Sequence, residues 1–253
     1  MLFFRNNIIV GITTTPRRIN DIIPTLDSIV NQSVKADKII LSLSYEIART
    51  GDKFGQLPHK LLEYIKCNKS IEIIRIPDYG PATKFVGLLL TQPKPKTYLV
   101  WFDDDVIYNK HAIKILVKHV SKTKHSVACT SMIEVTSEKC IGLKKFAKLS
   151  KNKFYVFDGY AGVCCRFGDM PDVSNFPLCS REDYNLMTNE DRFKFNTENF
   201  MLSYYLYQNN INFILVEATT CDTIRDVGMS VDALHNVQDQ TSVYKYLYNT
   251  MKI

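Results

Sequence analysis

Three consecutive aspartates, Asp103, Asp104 and Asp105, directly follow the apolar run 98–102. Such a run predicts a buried strand of a parallel sheet, and ligands of open α/β sheets bind beyond the carboxyl ends of the strands. Because side chains alternate along an extended segment, we expect Asp103 and Asp105 to share one face and Asp104 to point away. Two carboxylates on one face repel each other unless a cation lies between them, and oxygen-only ligands favour Mg²⁺ or Mn²⁺. The alternative is a solvated acidic turn that closes a strand.

A second group of polar residues, the segment 13–18, follows the apolar run 8–12. Hydroxyl and guanidinium groups at the carboxyl end of a strand can hold the base, ribose and phosphates of a nucleotide. Thr13, Thr15 and Arg17 are our candidates for this role. The alternative is a helix approach with capping threonines and solvated arginines.

A third group, the segment 78–84, follows the run 71–76. Asp78 could accept hydrogen bonds from a base or ribose, and Lys84 could reach a phosphate as a point charge. The alternative is an ordinary turn before a helix. It is weakened because this turn and the aspartates both follow predicted strands.

The elements that must position these residues alternate in the first half of the chain, which predicts an α/β fold with a parallel sheet and right-handed crossovers. We expect strands at 8–12, 38–43, 71–76 and 98–102, and helices at 22–30 behind Asp21, 61–65 behind Pro58, 82–90, and 112–120 behind Asn109. In the less regular second half, we expect strands at 126–130, 154–157 and 212–216 and helices at 198–208 and 242–248. No linker or low-complexity tract divides the chain, which favours one domain over 1–253.

The bulk composition is that of an ordinary globular protein: 253 residues, 45% hydrophobic, 23% charged, with a net charge of +6. No aromatic–basic ladder indicates a nucleic-acid partner. The apolar stretches are far shorter than the roughly 20 residues of a membrane span, and the first residues do not resemble a secretory signal. We therefore expect no transmembrane segment and a soluble, cytoplasmic protein. The seven cysteines form no CxxC pair, so we expect reduced thiols and no zinc site.

The ordered set of strand-end motifs, Thr-Thr-Thr-Pro-Arg, Asp-Tyr-Gly-Pro-Ala-Thr-Lys and Asp-Asp-Asp, resembles that of GT-A glycosyltransferases over roughly residues 7–108. It is most similar to the small soluble, family-2-like transferases of large DNA viruses, algae and bacteria. The resemblance implies a single GT-A domain over 1–253. Residues 1–108 would bind a nucleotide-sugar and residues 109–253 an acceptor. It is also compatible with a virus-encoded enzyme that acts in the host cytoplasm.

The resemblance also implies roles for the strand-end residues. Asp105 would be the direct ligand of Mn²⁺ or Mg²⁺, and Asp103 would hold the ribose or a metal-bound water. The metal would neutralise charge on the leaving diphosphate as a Lewis acid. The residues expected around the nucleotide-sugar are Thr13, Thr15, Arg17, Asp78, Tyr79, Lys84, Asp103 and Asp104.

In the second half, Gly159, Tyr160 and Gly162 resemble the glycine-containing acceptor segment of these enzymes. Glycines allow a sugar to approach the backbone, and Tyr160 offers a stacking face. A simple turn between strands is the alternative. His235 lies where this fold often supplies a third metal ligand, although a lone histidine is more often a plain surface or core residue.

The catalytic base is expected at the start of a helix in the second half, where inverting members carry two adjacent acids. Here Asn199 replaces the second acid, so Glu198 is the candidate base, with Asp183 and Glu182 in reserve. The alternative for Glu198 is a first-turn acid favoured by the helix dipole.

Together these features predict a metal-dependent, inverting transferase that moves a sugar from a nucleotide-diphosphate-sugar to a hydroxyl of a glycan or glycoprotein. One alternative is a Mg²⁺-dependent phosphohydrolase or nuclease, which could also place aspartates at strand ends. Another is a non-catalytic protein that binds nucleotide-sugars and has no acid near the anomeric carbon of the donor.

Overall fold

The computed structural model describes residues 7–143, 149–150, 152–176, 184–216, 222–223 and 239–253. Strands and helices alternate through the first part of the chain: β1 Ile8–Thr13, α1 Ile23–Val30, β2 Lys38–Ser44, α2 His59–Cys67, β3 Ile71–Ile76, α3 Thr83–Leu90, β4 Tyr98–Trp101 and β5 Val106–Ile107. The later elements are α4 Ala112–Val120, β6 Ser126–Cys129, β7 Met132–Val135, β8 Cys140–Leu143, β9 Phe154–Phe157, β10 Val163–Arg166, α5 Asn189–Asn196, α6 Glu198–Gln208, β11 Asn212–Leu215, β12 Asp222–Thr223 and α7 Gln240–Thr250.

The central feature is a seven-stranded sheet with the order β11-β6-β10-β4-β1-β2-β3. Strands β4, β1, β2 and β3 pair in parallel, and β11 pairs in parallel with β6. Only β10 runs against its two neighbours in this sheet. The expected α/β fold with a mostly parallel sheet is confirmed, and the antiparallel strand β10 was not predicted from the sequence.

Two smaller antiparallel sheets accompany the large one. Strands β8, β7 and β9 form a three-stranded sheet, and β12 pairs with β5. The expected helix caps at Asp21 and Asn109 are wrong: α1 begins after Ile22 and α4 after His111, in each case without a side-chain cap. Asn109 instead accepts a hydrogen bond from the His111 backbone N–H in the turn before α4.

Helices cover both faces of the sheet, as the alternation of side chains along β4 shows. Leu99 and Trp101 belong to one buried cluster, whereas Val100 and Phe102 belong to the other. The first cluster includes residues of α3, α6 and α7, and the second includes residues of α1 and α4. A strand buried on both faces has a continuous apolar sequence, which is why the run 98–102 predicted it correctly.

Glycine at position 11 allows α3 to approach β1 closely. A Cβ atom on Gly11 would lie 2.5 Å from the Lys84 backbone oxygen, so a larger residue would push the helix away. This contact fixes the first turn of α3, and with it Lys84, beside the carboxyl end of β1. In the part of the chain that the structure describes, no helix is long and apolar enough to cross a bilayer.

Candidate active site

A pocket of about 390 Å³ opens where the carboxyl ends of the parallel strands meet. Its lining residues come from the carboxyl ends of β1 and β2, from β5, from the loops after β1, β2, β3, β4 and β9, and from the helices α3, α5, α6 and α7. Nine residues that were predicted from the sequence lie on its wall: Thr13, Thr15, Asp78, Lys84, Asp103, Asp104, Asp105, Tyr160 and Glu198. The three strand-end motifs therefore converge on one cavity.

The three aspartates form a turn and do not continue the strand. Strand β4 ends at Trp101, and Asp104 and Asp105 occupy the turn that leads into β5. Asp103 and Asp105 remain partly exposed, whereas Asp104 is only 3% exposed. Asp104 thus points away from solvent. The cause is the turn of the backbone at this point, and not the alternation of side chains along a strand.

Arg18 neutralises the buried end of this acidic turn. Its guanidinium lies 2.7 Å from an Asp104 carboxylate oxygen and 3.5 Å from one of Asp105. Burial raises the pKa of Asp104 to about 6, and the positive charge of Arg18 opposes that rise. The Thr25 hydroxyl donates to the Asp104 backbone oxygen at 2.9 Å. Asp104 is therefore part of the protein interior.

The sequence pointed to Arg17 rather than its neighbour Arg18. The Arg17 side chain is 51% exposed and pairs with Asp52 at 2.9 Å, away from the residues that line the pocket. The two arginines are adjacent in an irregular loop, where no periodicity shows which of them faces inward.

Lys84 forms a buried ionic bridge across the pocket floor. Its ammonium group lies 2.7 Å from Asp103 Oδ1 and 2.8 Å from Glu198 Oε1, and its side chain is 5% exposed. Burial alone would lower the pKa of this ammonium, but the two carboxylates together hold the pKa above its ordinary value. Lys84 is therefore a fixed charge that joins the start of α3 to the start of α6. We expected Lys84 to contact a phosphate, but its ammonium group already has two acidic partners.

Asp78 lies in the pocket wall, but its carboxylate is already engaged by the protein. It accepts hydrogen bonds at 2.7–3.3 Å from four donors: the hydroxyls of Ser44 and Thr83 and the backbone N–H groups of Ala48 and Gly80. These bonds fill the lone-pair sites that the predicted contact with a base or ribose would need. The neighbouring Tyr79 does not line the pocket.

Thr13, at the end of β1, is bonded to the neighbouring strand, and Thr15 is bonded within the loop that follows. The Thr13 hydroxyl donates to the Ser42 carbonyl at 2.8 Å, and the Thr15 carbonyl accepts from the Arg18 N–H at 3.1 Å. Both residues line the pocket, so this loop presents polar groups beside the acidic turn.

Tyr108 ties the acidic turn to the segment 158–162. Its hydroxyl accepts from the Asp103 backbone N–H at 2.9 Å and donates to the Tyr160 carbonyl at 2.9 Å. Asp158 and Tyr160 line the pocket, whereas Gly159 and Gly162 do not. Gly162 has φ +89°, and a Cβ there would lie 2.3 Å from the Phe102 ring. Packing against Phe102 therefore requires this glycine, and sugar approach is not needed to explain it.

Asn199, at the place of the expected second acid, joins α6 to the same segment. In the orientation that satisfies both of its neighbours, its amide donates to Glu198 Oε1 at 3.1 Å and accepts from the Gly159 N–H at 3.2 Å. A second carboxylate here could not donate to Glu198.

The C-terminal helix α7 supplies a wall that the sequence did not indicate. Gln240 and Tyr244 line the pocket, and the Tyr244 ring packs against Phe200 at 5.3 Å between centroids. Burial raises the pKa of the Tyr244 hydroxyl, and the charges of Glu198 and Asp158 raise it further. The aromatic stripe predicted the helix, but nothing in the stripe indicates where the helix docks.

Comparisons with known proteins give matches in structure only. No protein-family model matches the sequence, and no curated protein matches it. GalNAc-T7 with UDP, GalNAc and Mn²⁺ aligns with a TM-score of 0.59 and 14% identity, covering 87% of this chain and 44% of that chain. The mannosyltransferase PcManGT from Pyrobaculum calidifontis, with GDP-Man and Mn²⁺, aligns with a TM-score of 0.51 and 12% identity, covering 87% and 57%. TarS from S. aureus with UDP aligns with a TM-score of 0.50 and 14% identity, covering 85% and 59%.

The chain has the GT-A fold. It spans 44% to 59% of the length of these three structures, and identities this low show the fold alone. The pocket lies in the part of the GT-A fold that the sequence predicted, at the carboxyl edge of the sheet.

The donor set in this GT-A pocket fits a hard divalent cation. Burial raises the pKa of Asp105, and the negative charge of Asp103 raises it further, so the two carboxylates repel each other. Among the described residues, no three His, Cys, Asp or Glu side chains are grouped so that they could hold a metal ion. Mg²⁺ is commonly held by one or two carboxylates together with substrate phosphates. Asp103 and Asp105 suffice for such a site, and His235, Asp183 and Glu182 lie outside the described residues.

Proposed function

We propose that this protein is a metal-dependent, inverting glycosyltransferase that moves a sugar from a nucleotide-diphosphate-sugar to a hydroxyl of a glycan or glycoprotein. The observation that carries this proposal is the pocket itself. In a GT-A fold, it joins the Asp103–Asp105 turn to the threonine loop after β1 at one edge of the sheet. We further propose that residues 1–108 form the donor half, and residues 109–253 the acceptor half, of one transferase domain.

The neighbours in structure support the choice of donor. GalNAc-T7 and PcManGT were solved with UDP or GDP-Man together with Mn²⁺, and TarS was solved with UDP. In this chain, Asp105 and Asp103 would hold Mn²⁺ or Mg²⁺, which when bound supplies Lewis-acid neutralisation of the diphosphate. Thr13 and Thr15 line the same pocket. Because the Thr13 hydroxyl already donates to the Ser42 carbonyl, its oxygen would accept a hydrogen bond from the nucleotide.

The group that receives the proton of the acceptor is the least obvious part of the mechanism. The sequence favoured Glu198, but its carboxylate contacts the Lys84 ammonium at 2.8 Å. The same oxygen, Oε1, also accepts from the Asn199 amide at 3.1 Å, so these two contacts hold the carboxylate in place. We propose that Glu198 positions Lys84 and Asn199, and that another acid of the pocket takes the proton.

Asp158 is the pocket acid best suited to that role. Six acids line the cavity; four of them contact Arg18 or Lys84, and Asp78 accepts four hydrogen bonds from the protein. Asp158 has no ion pair among the described residues and accepts from the Ser131 hydroxyl at 3.4 Å and from the Tyr160 N–H. Burial, and then the negative charge of Asp103, raise its pKa to about 6. A base is most effective when its pKa lies near the working pH.

The transfer step follows from these positions. The acceptor oxygen bonds to the anomeric carbon while its proton passes to the Asp158 carboxylate. The bond between the anomeric carbon and the diphosphate oxygen breaks, and its electron pair leaves on the diphosphate. Tyr160, which is 37% exposed, offers a ring on which an acceptor sugar can stack.

The proposal is tested by a screen of UDP- and GDP-sugars with Mn²⁺, which measures thermal shift and release of nucleoside diphosphate. We expect stabilisation by the nucleotide only with metal, and its loss in Asp105→Asn. Glu63→Gln, which removes an exposed acid on α2, is the matched control and should behave as the unmodified protein. Metal-dependent cleavage of phosphomonoesters or nucleic acid without nucleotide-sugar binding would overturn the proposal in favour of a phosphohydrolase.

The role of Asp158 is tested separately from donor binding. Asp158→Asn should keep the metal-dependent shift with nucleotide and lose at least 100-fold in turnover, within the range of about 10²–10⁴ that a positioned base supplies. If Glu198→Gln loses turnover and Asp158→Asn does not, the base is Glu198. Donor binding without turnover in the unmodified protein would indicate a non-catalytic binding protein.

A further inference from the structure

Helix α4 and the turns on either side of it carry several basic side chains and no acidic one. Between residues 106 and 133 the sequence has five lysines and three histidines, and no aspartate, glutamate or arginine. Four of these lysines, which we call the lysine face, recur at every fourth position: Lys110, Lys114, Lys118 and Lys122. Lys114 and Lys118 lie one turn apart on the same side of α4, and Lys110 and Lys122 lie in the turns just before and just after the helix.

The lysine face is exposed along its whole length, since the opposite side of α4 is buried. Ala112, Ile113, Leu116 and Val120 pack into the core beneath the sheet. The four lysines are exposed and form no ion pair with any residue that the structure describes.

This arrangement carries an electrostatic cost within the folded protein. Like charges four residues apart destabilise a helix, and Lys114 and Lys118 are such a pair on α4. The effect is visible at His119, whose pKa is lowered by burial and then by the charges of Lys118 and Lys122. No acid on α4 relieves the repulsion, which points to an anionic partner outside the chain.

The chemistry of the face favours a flat, diffuse anion. Sites for single-stranded nucleic acid add aromatic stacking to their positive charge, and base-reading or bidentate phosphate sites favour the planar fork of arginine. The face has neither arginine nor an exposed aromatic ring. Exposed ammonium groups without these features suit the surface of a bilayer with anionic lipids, where juxtamembrane lysines bind additively. We propose that the lysine face docks the protein on an anionic phospholipid surface, a property independent of the proposed transferase activity.

Co-sedimentation with phospholipid vesicles tests this proposal. We expect the full chain to bind vesicles that contain both phosphatidylcholine and phosphatidylserine, and not to bind vesicles of phosphatidylcholine alone. It should dissociate from the anionic vesicles as the salt concentration rises. Each lysine near such a surface contributes about five-fold to the association constant. The variant K110Q/K114Q/K118Q/K122Q should therefore bind several hundred-fold more weakly.

The matched control is K60Q/K66Q/K69Q/K94Q, which removes the same charge from exposed lysines of α2 and of the loops after α2 and α3. It should retain most of the vesicle binding. Equal losses in the two variants would overturn the proposal, because net charge rather than the face would then explain the binding. Tighter binding to single-stranded RNA than to vesicles would also overturn it. Should the quadruple variant not fold, the single variants K114Q and K118Q are each expected to bind about five-fold more weakly.

Discussion

Replacing Lys84 by methionine should destabilise this protein far more than the loss of an exposed lysine charge. The side chain keeps its length and apolar stem, but the carboxylates of Asp103 and Glu198 lose the ammonium that lies 2.7 and 2.8 Å from them. Glu198 is only 7% exposed, so its charge would remain buried without a partner. Removing one partner of a buried pair costs about 3–5 kcal/mol.

Urea unfolding at neutral pH measures this cost, and a matched ion pair provides the control. Lys153 lies 2.8 Å from Glu134, the same separation, but its side chain is 53% exposed. Lys153→Met should therefore change the free energy of unfolding far less than Lys84→Met. The double variant K84M/E198Q should regain part of the loss, because it removes the buried charge together with its partner. If Lys84→Met costs no more than Lys153→Met, the reasoning from burial is refuted.

Three further predictions concern the same region. Arg18→Leu should lower the free energy of unfolding by about 3 kcal/mol, because it leaves the buried Asp104 carboxylate without its ion-pair partner. Arg17→Leu should change the free energy of unfolding by less than about 1 kcal/mol. Denaturant unfolding of the two variants compares these values. Because the pKa of Asp158 is raised to about 6, the folded state favours the neutral acid. The resulting contribution to the free energy of unfolding is fully present below pH ~4 and is lost as the pH rises through 6. Asp158→Asn should therefore match the unmodified protein near pH 4 and exceed it by up to about 3 kcal/mol at pH 8; equal stabilities at both pH values would contradict this. Gly162→Ala should cost about 2–4 kcal/mol, since its Cβ would lie 2.3 Å from the Phe102 ring at a φ of +89°; a neutral substitution would show that the ring can move aside.

The sequence predicted β4 because a strand that is buried on both faces is apolar throughout. The runs 71–76 and 154–157 and the helix 198–208 have the expected bounds. The convergence of the strand-end motifs was also predictable, because parallel strands end at one edge of a sheet. Strand β10 was missed, since it has four residues, three of them fully buried, and therefore no alternation of apolar and polar side chains.

The details of the pocket depend on tertiary contacts that no local pattern encodes. The choice between Arg17 and Arg18 is decided by the path of an irregular loop. Lys84 was expected to face a ligand, but its environment depends on α6, more than a hundred residues later in the chain. Tyr244 reaches the pocket only because α7 docks beside Phe200. Charge partners that are distant in sequence cannot be paired from spacing alone.

The position of α7 in the pocket wall has a consequence for synthesis. The acidic turn, Lys84 and the β1 loop all leave the ribosome long before Gln240 and Tyr244, which complete the wall. A nascent chain that has not reached these residues can hold the strand-end acids together, yet its cavity stays open on one side. The contacts that place α7 are made with other late segments of the chain, because Tyr244 packs on Phe200 and the Thr241 carbonyl accepts from the Cys140 thiol. Completion of the cavity is therefore tied to completion of the chain through α7, and unfinished chains lack the enclosed site.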